Sequence, residues 1–534
     1  MSPSGHGGDA VTAALQALGV EQLFTLTGGH IFPILDGCHQ AGVRIIDVRH
    51  EQTAVFAAEG WARLTRGLGV AAVTAGPGVT NSMSPMVQAR ANGAPVLVLA
   101  GRAPSFRWGQ GSLQEIDHIP FVEPLVPAST VTSTQDIAGA VLRAGREALE
   151  LGEPRFLDFP IDVLFSTGEF EVPSEDRGAT TTPPSVVDAA RVLSEAARPI
   201  IVCGSNVWLS GADQALRRLA EATGIPVFMN GQGRGVLPAD HPLAFARSRS
   251  AAFKDADAAL VIGAPLDFRL GFGQSFASDA SVIHADRRST AGHVDLAASF
   301  TEPDLRPLLE GLLGEVSPPD AKEWVATLRT IEDEKKAGAS AELASNATPI
   351  HPMRIYGELI AQLDRDAIVI GDGGDFVSYA GREVPVYEPG CWLDPGPYGC
   401  LGCGPGYALA ARLAHPSRQV VLLYGDGAFG FSGMEIETMV RLGLPVVCVM
   451  GNNGIWGLEK HPMQALYGYD VAAELKPEIR YDQVVTALGG HGEMVTDPSE
   501  LGSALERAFA SRKPALVNVI TDPAIAYPRS SNLA

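Results

Sequence analysis

Short runs rich in β-branched residues alternate with longer amphipathic segments along the whole chain, and that alternation leaves few folds open. VRIIDV (43–48), GVAAVTA (69–75) and PVLVLAG (95–101) fall in the first third. PIIVCG (199–204), IPVFMN (225–230), AALVIGA (258–264) and SVIHAD (281–286) fall in the second. AIVIGDGG (367–374), QVVLLYGDG (419–427), LPVVCVMGNN (444–453) and PALVNVI (514–520) complete the pattern. Near-continuous apolar runs of this length are strands buried on both faces, and helix-length spacers between them make the strands parallel. The chain is therefore read as α/β, with three doubly wound domains built on parallel sheets. Two polar stretches, Ser166 to Ser185 and Lys335 to Pro352, divide it. The expected domains are 1–165, 186–334 and 352–520, with a tail at 521–534.

Hydrophobic residues make up 46% and charged residues 19%, the balance of a packed protein and not of a disordered one. No apolar run reaches the roughly 18–20 residues of a membrane helix. The start, MSPSGHGGDA, lacks a basic region followed by an apolar one, so a cytoplasmic protein is expected. The formal charge of −21 argues against nucleic acid or an anionic membrane as partner, since both require a basic surface. Small anions remain open, because they need only a local pocket. Of the six cysteines, Cys400 and Cys403 form a lone Cys-x-x-Cys with no second pair nearby. Buried structural thiols are the first reading and a redox or metal role the second.

The segment VVLLYGDGAFGFSGMEIETMVRLGLPVVCVMGNNGIWG, residues 420–457, concentrates the chemistry. It reads as strand, helix, strand, with a helix expected from Ser432 whose apolar face holds Ile436, Met439, Val440 and Gly443. Gly425-Asp426-Gly427 ends the first strand and Asn452-Asn453 the second, with twenty-four residues between Gly427 and Asn452. In doubly wound sheets ligands bind beyond the carboxyl ends of the strands. Glycines admit a ligand close to the backbone, and Asp426 and Asn453 are hard oxygen donors suited to Mg²⁺. A Mg²⁺-bridged diphosphate satisfies all three features. The plainer reading is a βαβ unit whose Asp and Asn cap turns.

This segment resembles the motif of thiamine-diphosphate enzymes, a GDG followed after a spacer in the mid-twenties by NN. The resemblance covers nearly the whole chain, in the order pyrimidine-binding, middle and diphosphate-binding domain. It implies thiamine diphosphate and Mg²⁺ as cofactors, with Asp426, the Asn453 side chain and the Ile455 carbonyl on the metal. Gly425, Gly427 and Ala428 would face the cofactor, and Leu401, twenty-five residues before Asp426, would wedge it into its bent shape. Glu51, in DVRHEQTAVFAAEG, takes the place of the carboxylate that holds the pyrimidine N1′. Its plainer reading is a favourable acid in a helix's first turn. Gly28, Gly76 and Asn81 match cofactor-facing positions, and Gln114 matches an active-site Gln or Tyr. His30 and His50 are weaker acid–base candidates. In this family the carboxylate comes from a second subunit, which implies at least a homodimer and points to a homotetramer.

Within the family, AFGFSGME after Asp426 resembles the oxalyl-CoA decarboxylases and 2-hydroxyacyl-CoA lyases, most of all the actinobacterial lyases. Their third motif letter is usually Ser, and here it is Gly427. That branch implies cleavage of a 2-hydroxyacyl-CoA thioester to formyl-CoA and an aldehyde or ketone, with ADP in the middle domain. Gly204 after one strand, Asp286 at the end of another and Arg155 are the expected nucleotide contacts. Asp286 is equally well a plain turn residue. Glu493, after a Gly-rich bend, is the expected acid–base group for the substrate hydroxyl. Trp456, Leu458 and Tyr467 to Tyr469 would shape the acyl pocket, and Arg529 on the tail would meet a CoA phosphate. The competing reading is a 2-oxo acid decarboxylase or carboligase, such as acetolactate synthase with FAD in the middle domain, or oxalyl-CoA decarboxylase. A third is a thiamine-diphosphate-binding relative without catalysis, against which the intact Glu51, Asp426 and Asn453 speak.

Overall fold

Each of the apolar runs becomes a parallel strand, and the strands assemble into three six-stranded sheets. The structure, a computed structural model, describes residues 4–173, 184–288 and 294–528. The first sheet uses β1 (Gln22–Thr25), β2 (Arg44–Asp47), β3 (Gly69–Val73), β4 (Val96–Arg102), β5 (Ala128–Thr130) and β6 (Arg155–Pro160) in the order 2-1-3-4-6-5. The second uses β7 (Pro199–Cys203), β8 (Val227–Met229), β9 (Ala244–Phe245), β10 (Ala258–Ile262), β11 (Ser281–Asp286) and β12 (Ala298–Thr301). Its order is 9-8-7-10-11-12, the doubly wound order of dinucleotide-binding sheets. The third uses β13 (Ile368–Asp372), β14 (Trp392–Leu393), β15 (Val420–Gly425), β16 (Val447–Asn452), β17 (His491–Val495) and β18 (Ala515–Ile520). Its order, 14-13-15-16-18-17, repeats that of the first sheet. The three doubly wound domains expected from the sequence are thus present.

The central strands are buried on both faces, as their composition requires: β3, β7 and β10 are buried at every position. One apolar cluster runs from the first domain into the third, joining Phe56 and Phe156 to Tyr407 and Leu422. Two helices make that junction, Glu51–Thr65 and Gly404–Ala414. They approach closely because each offers a glycine to the other. A Cβ on Gly406 would lie 2.8 Å from Phe56 Cβ, and one on Gly60 would lie 3.0 Å from Tyr407 Cα.

At this junction the buried Arg63 ties all three domains together. It donates to Gln232 Oε1 of the middle domain at 3.1 Å, and to the Asp394 carbonyl and Tyr407 hydroxyl of the third at 2.8 and 3.1 Å. Its ion-pair partner Glu59, 3.4 Å away, also accepts from Asn92 and Gln88.

Two local expectations change. The helix after β15 begins at Asp426, not Ser432, and runs to Ser432 before a second piece, Glu435–Arg441. Ile436 and Met439 are buried as expected, but Gly443 ends the helix with φ +63°. The stretch 335–352 is not a bare link, since the helix Lys322–Gly338 runs into it and Ser340–Leu343 adds a turn. No helix among the described residues is long and apolar enough to cross a membrane.

Candidate active site

The strand order of the third sheet reverses between the parallel neighbours β13 and β15, and a cavity of about 600 Å³ opens beyond the carboxyl ends of those strands. Gly373 and Gly374 follow β13 with φ +72° and +69°, a backbone open to glycine at little cost. Gly425, Asp426, Gly427 and Ala428 line the same cavity from β15 and the helix after it, and Asn453, Ile455 and Trp456 line it from beyond β16. Leu401 leans over Gly373, where any Cβ would collide with it, and reaches into the cavity beside Ala428. Asp372 fixes that arrangement: its buried carboxylate accepts from the backbone N–H of Gly402 at 3.0 Å and of Gly404 at 2.8 Å, just after Leu401.

The two asparagines do different work. Asn452 donates to the Ile479 carbonyl and to Asn518 Oδ1, pinning β16 to its neighbours. Asn453 faces the cavity, with Oδ1 accepting from Ile455 N–H at 3.2 Å. Asp426 Oδ2 accepts from Gly454 N–H at 3.2 Å. Burial pushes Asp426 up to about 6, and the facing Asp375 adds repulsion. Asp375 is likewise raised to about 6 by burial, and its buried Oδ2 has no hydrogen-bond partner. Two carboxylates and an amide oxygen crowded into a glycine cradle form an all-oxygen donor set short of positive charge, and this fits Mg²⁺ with a diphosphate.

The first domain gathers a second cluster at the ends of β1 and β3. Gly28 packs so tightly against Thr74 that no Cβ fits between them. Thr74 Oγ1 donates to Gln114 Oε1 at 3.1 Å and lies 3.2 Å from His30 Nδ1. Gly76, at φ +59°, donates its N–H to His118 Nε2 at 3.0 Å, and His118 Nδ1 lies 2.8 Å from Asp158. A ring nitrogen that accepts from a backbone N–H leaves the other to donate, so Asp158 fixes the His118 tautomer. Sequence reasoning missed His118 and Asp158, whose only sequence signal is an Asp inside an apolar strand. Glu51 opens its helix, is buried, and accepts from Asn81 Nδ2 at 3.0 Å. His50 is the N-cap of that helix, with Nδ1 accepting from Gln52 N–H. Glu51 does not line the cavity around Asp426.

A second, larger cavity of about 1390 Å³ lies between the middle and third domains. Asn230, Arg249 and Arg269 line both it and the first. Seven basic side chains line it, Arg234, Arg247, Arg249, Lys254, Arg269, Lys335 and Arg382, against one acidic, Glu342. Glu383 answers Arg247 and Arg382, and Asp267 answers Arg269. Neither Arg234 nor Arg249 forms an ion pair among the described residues, and Arg234 Nε has no hydrogen-bond partner. Burial, with repulsion from Arg234 and Arg269, brings Arg249 down to about 10. This is a pocket built for negative charge in a strongly acidic chain.

In the middle domain, Gly204 lines a small crevice beyond the carboxyl ends of the neighbouring strands β7 and β10. A Cβ on Gly204 would lie 2.4 Å from the Gly263 carbonyl oxygen, so no side chain fits there. Asp286 lies beneath this crevice, buried and accepting from Asn206 Nδ2 at 2.6 Å and from Arg287 N–H at 2.8 Å.

Two expected site residues are placed elsewhere. Arg155 opens β6 in the first domain, where Glu147 holds its Nε at 3.1 Å, away from Gly204 and Asp286. Glu493 lies in the middle of the edge strand β17 and not at a strand end. Arg507 grips it with bonds of 2.6 to 3.1 Å, and His491 adds one of 2.7 Å. Partial burial pushes its carboxyl up, but these partners outweigh burial and hold it below its ordinary value. An acid so engaged is held in an ion pair outside the lining of the cavity around Asp426. Arg529 lies outside the described residues. All six cysteines are free, and burial raises Cys400 to about 11.

Comparison with known proteins agrees with this architecture. Three domain families match: the N-terminal TPP binding domain of thiamine pyrophosphate enzymes over residues 5–121, their central domain over 186–300, and their C-terminal TPP binding domain over 372–519. A probable acetolactate synthase of Mycobacterium bovis is 54% identical, over 99% of this chain and 98% of that protein. The human 2-hydroxyacyl-CoA lyase 2 is 34% identical, over 93% of this chain and 86% of its own length. The 2-hydroxyacyl-CoA lyase of Oryza sativa subsp. japonica is 33% identical, over 96% of this chain and 94% of its own length. With a glycine cradle at the switch point of its third sheet and relatives matched end to end, the chain belongs to the thiamine pyrophosphate enzymes.

Proposed function

We propose that this enzyme is a thiamine-diphosphate- and Mg²⁺-dependent carbon–carbon lyase that cleaves a 2-hydroxyacyl-CoA to formyl-CoA and an aldehyde or ketone. The observation that carries the reading is the basic cavity that opens onto the glycine cradle. A CoA thioester carries several phosphates beyond its acyl carbon, and the adjoining cavity offers Arg234 and Arg249 as cations without an ion-pair partner among the described residues. A 2-oxo acid has a single carboxylate and would leave most of that cavity without a counter-charge.

In this reading Asp426, the Asn453 amide and the Ile455 carbonyl hold the metal, and Gly373, Gly374 and Gly425 to Ala428 admit the diphosphate. Leu401 orients the cofactor. Bound thiamine diphosphate supplies the nucleophilic carbon and the electron sink for breaking the carbon–carbon bond. Glu51, presented by a second copy of the chain, holds the proton at the pyrimidine N1′, with Asn81 fixing its carboxylate. Since Glu51 does not line the Asp426 cavity of its own chain, a homodimer is in this reading the smallest complete unit, and a homotetramer pairs two of these. ADP is assigned to the middle domain, whose strand order is that of dinucleotide-binding sheets. Leu401 and Trp456 narrow the cavity and exclude water.

The test mixes the protein with thiamine diphosphate, Mg²⁺ and mandelyl-, lactyl-, 2-hydroxyisobutyryl- and long-chain 2-hydroxyacyl-CoA, and follows formyl-CoA by mass spectrometry. Formyl-CoA with the matching carbonyl product, lost in Glu51→Ala, supports the lyase. Its absence from every mixture sinks it. The high identity to proteins named acetolactate synthase favours a second reading, carboligation of 2-oxo acids with FAD in the middle domain. Yellow protein that turns over pyruvate would decide for that reading, and colourless protein carrying ADP would decide against it.

A further inference from the structure

Gly427 stands where the lyase branch usually carries Ser, and the structure gives the reason. A Cβ at Gly427 would lie 2.5 to 2.9 Å from three ring carbons of Trp456, so the indole rests on the bare backbone of that residue. One turn further along the same helix, Phe431 meets the indole edge-on, with ring centroids 6.5 Å apart and an interplanar angle of 81°. Phe431 is itself held against Gly402, whose Cβ would approach Phe431 Cβ to 2.6 Å. The Trp456 backbone is anchored by its N–H to the Ala473 carbonyl at 2.8 Å. The ring therefore has a floor at Gly427, a side at Phe431 and a fixed root. Its exposed remainder lines the cavity with Leu401.

We propose that Trp456 is the wall that sets the size of the substrate side chain the cavity takes, and that Gly427 is the seat that keeps it in place. The proposal rests on the reading of this cavity as a thiamine-diphosphate site for carbon–carbon chemistry, but not on which acyl donor is used. A rigid aromatic wall restricts by contact: removing it admits larger groups, whereas a smaller ring in the same place admits them only in part.

The test measures kcat/KM for a series of 2-hydroxyacyl-CoAs running from a methyl to a phenyl substituent, in the wild type, Trp456→Phe, Trp456→Ala and Gly427→Ser. The same size ratio is read from calorimetric binding of the corresponding acyl-CoAs, which lack the 2-hydroxyl and are not cleaved. Trp456→Ala is expected to shift the large-to-small ratio by about tenfold or more toward large groups. Trp456→Phe should lie between it and the wild type. Gly427→Ser should shift the ratio in the same direction by displacing the ring, and should add nothing in a Trp456→Ala background. Unchanged ratios in Trp456→Ala overturn the wall. Full additivity, or a Gly427→Ser loss of cofactor affinity that Trp456→Ala does not relieve, overturns the seat. The two readings fail separately. Turnover of 2-oxo acids without formyl-CoA sinks the lyase, and the size series is then read on those acids, where an unchanged ratio still sinks the wall.

Discussion

At the scale of single residues, Asp426 carries the heaviest load in the proposed metal site, where it would be the charged donor beside the Asn453 amide and the Ile455 carbonyl. Asp426→Ala should weaken Mg²⁺-dependent binding of thiamine diphosphate about 100-fold, read by calorimetric titration. Glu51 should behave differently. Glu51→Gln keeps the Asn81 contact and the fold but cannot hold the charge that N1′ requires. Turnover should fall roughly 10²–10⁴-fold while cofactor affinity changes little, and a parallel loss of affinity would show that Glu51 is structural. The placement of these residues was legible in the sequence because each follows an apolar run, where one-dimensional spacing translates directly into position at a sheet's carboxyl edge. Arg155 and Glu493 were not. Their surroundings are set by Glu147 and Arg507, partners that only the tertiary packing selects. Asn452 shows the same limit within the motif itself: two adjacent asparagines read alike, yet one pins the sheet and the other faces the cavity.

At the scale of elements, the turn that carries Leu401 depends on a buried acid. Burial pushes Asp372 up to about 7, although the Gly402 and Gly404 N–H groups draw it down. A carboxyl raised above its unfolded value holds a proton in the folded chain that the unfolded chain has already lost. Its contribution is fully present below about pH 4 and is lost as pH rises through about 7, a span worth about 4 kcal/mol. Asp372→Asn should therefore flatten the fall in Tm between pH 5 and pH 8, while costing about 1 kcal/mol for the N–H it leaves unmet. An unchanged slope by calorimetry would show that Asp372 does not titrate in this range. The glycine contact between the helices Glu51–Thr65 and Gly404–Ala414 is equally local. Gly406→Ala should destabilise by about 1–3 kcal/mol through overpacking against Phe56, read as a lowered denaturation midpoint. The helix start at Asp426 escaped the sequence reading because Gly-rich, weakly periodic residues give no helical pattern, and the preceding strand alone fixes where the turn falls.

At the scale of the whole molecule, Arg63 makes the three domains one cooperative body. Arg63→Met removes a buried cation from between Glu59, Gln232, Asp394 and Tyr407 and leaves Glu59 without its counter-charge. A loss of about 3–5 kcal/mol in a transition that loses its single-step form is expected, measured by denaturant unfolding followed in both near- and far-ultraviolet circular dichroism. The α/β class and the threefold division were legible from the alternation of strands and helices. The order of strands within each sheet was not, since sequence spacing does not say which neighbour a strand will find. That order decides where crevices open. The first and third sheets share one winding, 2-1-3-4-6-5, while the middle sheet follows another. A common winding puts an equivalent crevice at the carboxyl ends of both sheets, and the two are furnished differently: glycines and carboxylates line the third, while Thr74, His30 and Gln114 fill the first.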